Sequence, residues 1–518
     1  MKALLIYPSI PDTFFSFKHT LKFIYKRAAQ IPLGLLTVAS MLPRDWTLCL
    51  VDMNVEKLTD EVIKWANIVF IGAMAIQEST VRDVALRCKL LGKPVVGGGP
   101  LFSSISTEFP EIDHLVLNEA EATLPLFLKD LAADEPKRVY LSNQKPDISK
   151  TPLPRWDLIK MDAYATMCIQ YSRGCPFDCE FCDIVKLNGR KPRVKSNDQM
   201  IREIEALYGL GWRDRVFIVD DNFIGKKAKA KSFLEDLIFW QKTHQYPFTL
   251  FTQASVNLAQ DKELITLMTS AGFDMVFLGL ETPSEESLFE SRKYQNLSID
   301  LIEAVKTIQH NGMEVWGGFM IGFDSDPPDI FERQIKLIQN SGVVKATISL
   351  LNAIPGTRLY KRLKEEGRIL DNITGDNCDG SLNFIPKMDV QTIRDGYRAV
   401  LNYIYSPKNY YERIMEFLKD YKPVRRRRLN KGEIRVFLNT ILYLGILDKG
   451  KNKLYYWKLL IMVLIFHRDK FSEAVSHAIF GYHFRRLFIN QRNSIENGTT
   501  KAFKKKVNKQ MEQIKVVE

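Results

Sequence analysis

A chain of 518 residues is longer than one hydrophobic core usually supports, so more than one domain is expected, and the pattern of elements suggests three. Its 46% hydrophobic and 26% charged residues exclude the disordered and collagen-like classes. The net charge of +12 suggests a nucleic-acid binder until it is located: residues 421 to 518 hold 22 Lys and Arg against 7 Asp and Glu, leaving 51 against 54 before them. Basicity confined to a tail is not a binding face spread over the molecule, and no nucleic-acid partner is expected.

In chain order, short apolar runs at 3–8, 47–53, 68–74, 94–100 and 114–119 alternate with helical stretches. Over residues 1 to 140 they predict an α/β domain, a doubly wound parallel sheet of Rossmann-like type. Ligands of such sheets sit beyond the carboxyl ends of the strands, which here carry Gly72, Ala73, Gly97, Gly98, Gly99, Asn118 and Glu119. No GxGxxG follows the first strand, which argues against a dinucleotide. A linker rich in Pro and Asp occupies 141 to 165. From 166 to 388 six further strand runs are separated by helical segments, predicting a partial (β/α)6 TIM-like barrel, open at one side. Residues 389 to 518 read as a helical, aromatic and basic extension. Its most apolar run, 454 to 466, is interrupted by Lys458 and is shorter than the roughly 20 residues that span a bilayer, so it is not expected to cross one.

Seven cysteines are too few and too scattered for a disulfide framework, and the N-terminal MKALLIYPSIPD does not read as a signal peptide. A reducing cytosolic location is expected. Three of the seven, Cys175, Cys179 and Cys182, fall within eight residues. Zinc is the first rival for such a set, but a closed structural zinc site needs a fourth ligand, and no Cys or His follows within twenty residues. Three thiolates leave one metal of a four-iron four-sulfur cluster open, and the amino and carboxylate groups of S-adenosylmethionine (SAM) suit that position. A structural metal, or clustering without function, stays the alternative.

CxxxCxxC with the aromatic Phe181 before its last cysteine resembles the signature of the radical SAM superfamily, over residues 166 to about 360. Further matches are VDDNF at 219 to 223, GLETPSEE containing Glu281, GFMIGF at 318 to 323, and Pro355-Gly356-Thr357. The resemblance implies that Asp220 or Asp221, Glu281 and the Gly322 region hold SAM, with Phe181 near the adenine. Read from the residues alone, the acids could equally cap the helices that follow them.

The N-terminal domain resembles the cobalamin-binding domain of the class B radical SAM methyltransferases. That likeness rests on architecture, on Gly97, Gly98 and Gly99, and on NEAEAT at 118 to 123. It implies cobalamin at Gly72, Ala73, Gly97, Gly98, Gly99, Asn118 and Glu119. The Asp-x-His-x-x-Gly motif by which some cobalamin proteins ligate cobalt is missing, and His19 and His114 read as surface or packing residues, so cobalamin without a histidine ligand is expected. SPKNYYERI and the basic tail resemble the subgroup of hopanoid C-2 methylase and bacteriochlorophyll side-chain methylases.

The subgroup implies C-methylation of an unactivated carbon on an apolar hopanoid or tetrapyrrole substrate, two SAM used per methyl, and a reductant such as flavodoxin or ferredoxin. No catalytic side chain beyond the cofactors is required. Lys and Arg beside Tyr455, Tyr456, Trp457 and Phe466 describe a peripheral contact with the inner face of a membrane through residues 421 to 518, against the alternative of a helical cap on the barrel. Two other functions fit part of the pattern: a radical cyclase with the same cofactors and no methyl transfer, and a non-enzymatic cobalamin or metal sensor. Cys378 has no assigned role.

Overall fold

The computed structural model describes residues 1–105, 109–370, 374–376, 378–424, 431–448 and 450–494. The chain divides into two compact units. Met1–Pro11, Tyr25–Pro176 and Ile184–Gln253 form the first, and Asp12–Ile24, Phe177–Asp183 and Ala254–Glu518 the second.

In the first unit a parallel sheet runs in the order Thr47–Asp52, Lys2–Tyr7, Ile68–Gly72, Val95–Gly98, His114–Val116, Val139–Tyr140. Its central strands are apolar on both faces because helices cover both. Leu4, Ile6, Val69, Ile71 and Val95 share one buried core with Val81, Val84 and Cys88 of the helix Glu78–Leu90. The register aligns the carboxyl ends: Tyr7 lies opposite Asp52, Gly72 opposite Gly98, and Gly98 opposite Val116.

The same unit holds the parallel strands Ala28–Gln30, Tyr164–Ile169, Arg215–Ile218 and Thr249–Ala254. Ala28–Gln30 is three residues of AAQ, with no apolar run to announce it. Between the later strands lie Asn197–Gly209, whose N-cap Ser196 accepts from the Gln199 amide, and Lys227–Thr243.

The second unit carries the parallel strands Phe273–Glu281, Glu314–Ile321 and Ala346–Leu350. Their helices start where the residues allow: Asp300 accepts from the Ile302 and Glu303 amides at the head of Leu301–His310. The six strands from Tyr164 to Leu350 are those expected of the curled half-barrel, and the mixed α/β fold with a helical C-terminal region is as anticipated.

That region comprises Val390–Ile404, Pro407–Asp420, Lys431–Thr440, Asn452–Phe466 and Phe471–Ser494. It packs with Asp12–Ile24 from the far end of the chain: Phe14 meets Phe484 at 5.9 Å and Phe17 meets Phe480 at 5.4 Å. Lys22 donates to the Tyr482 hydroxyl at 2.7 Å. Among the described residues no helix is long and apolar enough to cross a membrane. The arginines at 425 to 428 and the basic end from 495 onward lie outside the described residues.

Candidate active site

The cysteine segment begins in the first unit, in a short antiparallel ribbon of Ser172–Arg173 with Arg193–Val194. Gly174 has a φ of +98°, and a Cβ there would lie 2.7 Å from the Gly189 carbonyl, so no other residue fits. Its amide donates to Asp221 at 2.7 Å, and Asn188 donates to the same oxygen at 2.9 Å. The Cys175 amide donates to the Gly189 carbonyl at 3.2 Å, and the Asn222 amide group reaches the Cys175 sulfur at 3.8 Å.

Asp220 accepts from the Tyr171 amide at 2.8 Å and the Ser172 hydroxyl at 2.6 Å. Burial pushes its carboxyl up to about 7, against the pull of those bonds. Asp220 and Asp221 thus hold the backbone that leads into Cys175.

Cys179 and Cys182 lie in the second unit with Phe181, and the Cys182 amide closes a turn onto the Cys179 carbonyl at 3.2 Å. Charge clamps the segment around them. Arg362 forms a two-pronged pair with Glu180 at 2.8 and 3.0 Å and reaches Asp324 at 3.1 Å, while Arg358 pairs with Asp178 at 2.8 Å. Gln295 donates to the Cys179 sulfur at 3.4 Å.

Glu281 closes its strand at a φ of +63°, next to a shift of register, which is strained backbone for a glutamate. Its carboxylate accepts from Lys293 at 2.7 Å. Burial alone would lower the Lys293 ammonium, but Glu281, Cys179 and Cys182 outweigh it and hold the group above the usual lysine range. Phe181 meets Phe323 edge-on at 6.2 Å, and the Lys293 ammonium lies 5.9 Å from the Phe181 ring.

Gly322 donates its amide to Asp326 at 2.7 Å, as Phe323 does at 3.1 Å, and Ser287 adds a hydroxyl at 2.7 Å. Burial pushes the Asp326 carboxyl up to about 6. Lys293, Gln295 and Asp326 went unnoticed in the sequence. The one signal available was for Asp326, which follows the end of the strand Glu314–Ile321 by five residues.

At the strand ends of the first sheet, Ala73 donates to the Gly98 carbonyl at 3.2 Å and Leu101 to the Ala73 carbonyl at 3.1 Å. Gly99 has a φ of +96°, and a Cβ there would lie 3.0 Å from the Ala73 carbonyl. A Cβ at Gly98 would lie 3.2 Å from the Val116 carbonyl. The bareness of Gly72 and Gly97 also serves packing, since added carbons would meet Leu35 at 2.8 Å and Phe102 at 2.9 Å.

Asn118 stands at a φ of +63°; its amide donates to Ser103, and its side chain to the Ser142 carbonyl at 2.8 Å. Gly98, Gly99 and Asn118 are half-buried beside the buried Ala73 and line one edge without large side chains, a cradle that fits a flat polar cofactor. Glu119 is accounted for by charge: Arg173 and Arg193 each reach it at 2.9 Å. Arg173 also reaches Glu121 at 2.8 Å, so the ribbon before Cys175 is tied to the head of the helix Ala120–Ala132.

His114 begins its strand, at the end opposite Asn118, and its Nδ1 pairs with the Lys137 carbonyl at 2.8 Å. His19 lies in the second unit beside Asp12, at 3.3 Å. Cys378 is buried; its sulfur accepts from the Phe14 amide at 3.1 Å, and burial pushes its thiol up.

Cys175, Cys179 and Cys182 are half-buried in the segment that follows the strand Tyr164–Ile169, and residues 169–351 match the radical SAM superfamily. Residues 357–497 match a domain of unknown function.

The chain is 43% identical over 416 residues to an uncharacterized methyltransferase of Synechocystis, covering 80% of this chain and 78% of the relative. It is 33% identical over 478 residues to the hopanoid C-2 methylase of Rhodopseudomonas palustris, covering 90% and 89%. Its fold is similar to that of the radical SAM methyltransferase TsrM of Kitasatospora setae, solved with cobalamin and a [4Fe-4S] cluster bound. The TM-score is 0.61 at 14% identity, over 92% of this chain and 98% of that one. The chain belongs to the radical SAM methyltransferase family and is an enzyme of that type.

Proposed function

We propose that this protein is a cobalamin-dependent radical SAM C-methyltransferase that methylates an unactivated carbon of an apolar, membrane-borne polycycle of the hopanoid or tetrapyrrole class. The observation that carries the reading is the likeness to hopanoid C-2 methylase, which extends over 90% of the chain and so includes the C-terminal region as well as the barrel. When bound, the cluster supplies the electron that splits SAM, and cobalamin supplies the methyl group.

The protein's own part is holding and exclusion. Cys175, Cys179 and Cys182 hold the cluster. Arg362 and Arg358, through Glu180 and Asp178, fix the loop on which two of them stand. Glu281, the Gly322 backbone and Phe181 hold SAM, with Lys293 fixing the Glu281 carboxylate. Ala73, Gly98, Gly99 and Asn118 hold cobalamin, with Gly72, Gly97 and Glu119 shaping that edge. A carbon without acidic protons needs no acid-base pair, only a positioned substrate and a site shut to water. The electron comes from a reductant of flavodoxin or ferredoxin type, and the substrate is reached through a peripheral membrane contact within residues 421 to 518.

Anaerobic incubation of the reconstituted protein with SAM, methylcobalamin, a reductant and a host lipid extract tests this by mass spectrometry. A product heavier by one methyl group is expected, together with 5'-deoxyadenosine. A product that has lost hydrogens and gained no carbon would make the protein a cyclase instead.

A further inference from the structure

The outward face of the C-terminal helices has the opposite chemistry from the rest of its unit. Lys431–Thr440 continues into a π-helical turn, Ile441–Ile446, and Asn452–Phe466 returns alongside it. The inner face of this hairpin is settled: Leu444, Tyr456, Leu459, Leu460 and Val463 are buried. The Tyr456 and Thr440 hydroxyls bond at 2.7 Å, and the Trp457 indole donates to the Gly445 carbonyl at 3.1 Å.

Leu438, Ile446, Leu454, Ile461, Leu464 and Phe466 point the other way, each between 53% and 67% exposed. Elsewhere among the described residues of the unit the exposed large apolar residues are fewer and scattered, as Tyr403 and the pair Phe289 and Tyr294 are. A contiguous apolar face of this kind marks an interaction surface.

The π turn keeps that face in line. Leu438, Leu442 and Ile446 are four residues apart, and in an α-helix each such step rotates the stripe by about 40°. In a π turn of about 4.4 residues the same step rotates it back by roughly 30°, so Ile446 stays over Leu442.

Exposed cations surround the face: Lys451 and Lys453 near the turn, Lys458 along the second helix, and Arg468 just beyond it. A second copy of the chain would bring the same cations together across a two-fold axis, which disfavours self-association. A surface of anionic headgroups over acyl chains satisfies both the cations and the apolar stripe. The second helix is 15 residues long, about 22 Å, and one side of it is already packed against protein, so it can lie in the interface but not cross it.

We infer that the hairpin between 434 and 466 is a monotopic docking surface seated in an anionic membrane leaflet. It gives a location to the membrane contact in the proposed function and rests on that reading for its purpose, while its geometry stands independently.

The test is flotation of the full-length protein with vesicles of phosphatidylcholine, with and without phosphatidylglycerol. Flotation on the anionic vesicles is expected, weakening as salt is raised. Ile461→Glu with Leu464→Glu should abolish it, and Lys453→Gln with Lys458→Gln should weaken partition about 30-fold. Both double variants should keep the parent's thermal midpoint.

Absence of flotation on anionic vesicles overturns the inference, and so does flotation that survives Ile461→Glu with Leu464→Glu. A concentration-dependent dimer dissolved by that pair would assign the face to a second copy. Methylation of detergent-dispersed substrate is read separately: if it persists while flotation fails, docking is wrong and the function stands, and the reverse result condemns the function alone.

Discussion

The cysteine segment and the C-terminal hairpin solve opposite problems. Around Asp178, Glu180, Asp220 and Asp221 nearly every polar group is spoken for by an arginine or a backbone amide, so the positions of the thiols follow from many mutually dependent bonds. In the hairpin one face is held by packing and the other is left exposed by the described residues. A loop that must present three sulfurs in one geometry is over-determined by polar contacts, since a displacement of about 1 Å there is costly to function. A surface meant for a fluid partner needs only a hydrophobic face of the right shape. Side-chain changes should therefore act through geometry in the first region and through solvation alone in the second.

The largest effect is expected at the sulfurs. Cys179→Ala removes one of three ligands, and the reconstituted protein should lose its cluster iron and acid-labile sulfide and cease to form 5'-deoxyadenosine from SAM. Cleavage that survived this change would mean that the three cysteines do not hold the cluster.

Asp220 gives the next effect, and its sign follows from proton binding. The folded carboxyl keeps its proton up to about pH 7, whereas an unfolded aspartate ionises near ~4, so the folded state binds more protons between those values. Its contribution to stability is complete below about pH 4 and is lost as pH rises through about 7. Asp220→Asn keeps an acceptor for the Tyr171 amide and removes the ionisation. It should flatten the fall in thermal midpoint between about pH 4 and about pH 7, and stabilise the protein by up to about 4 kcal/mol at the upper end. An unchanged slope would place the titration elsewhere.

The legible parts of the molecule share one property, a local pattern. Strands such as IVFIG and VVGG are continuous apolar runs because both their faces are covered, and the cysteine spacing lies within a single loop. Ala28–Gln30 escaped because its pairing with Tyr164–Ile169 joins residues more than a hundred apart and needs no apolar side chain. The association of Asp12–Ile24 with the C-terminal helices is long-range in the same way, resting on Phe14, Phe17 and Lys22 against Phe484, Phe480 and Tyr482. Glu119 reads from the sequence as a strand-end cofactor contact, and only the folded chain shows the Arg173 and Arg193 that pair with it. Lys293 was invisible for a similar reason: a lysine in a helical stretch reads as solvated until Glu281 is seen to face it.

The smallest effect is the sharpest test of the contrast, because it predicts none. Leu459 and Ile461 are two residues apart on one helix and both are aliphatic, yet Leu459 is 2% exposed and Ile461 56%. Leu459→Ala leaves a cavity against the neighbouring helices and should cost about 3 kcal/mol of unfolding free energy. Ile461→Gln alters a side chain that is mostly exposed among the described residues and should change stability by no more than about 0.5 kcal/mol in vesicle-free buffer. Chemical denaturation of the two variants beside the parent reads both values. A large loss at Ile461 would show that its face is covered by protein in solution, and the distinction between the polar-clamped loop and the solvent-facing hairpin would fail at that residue.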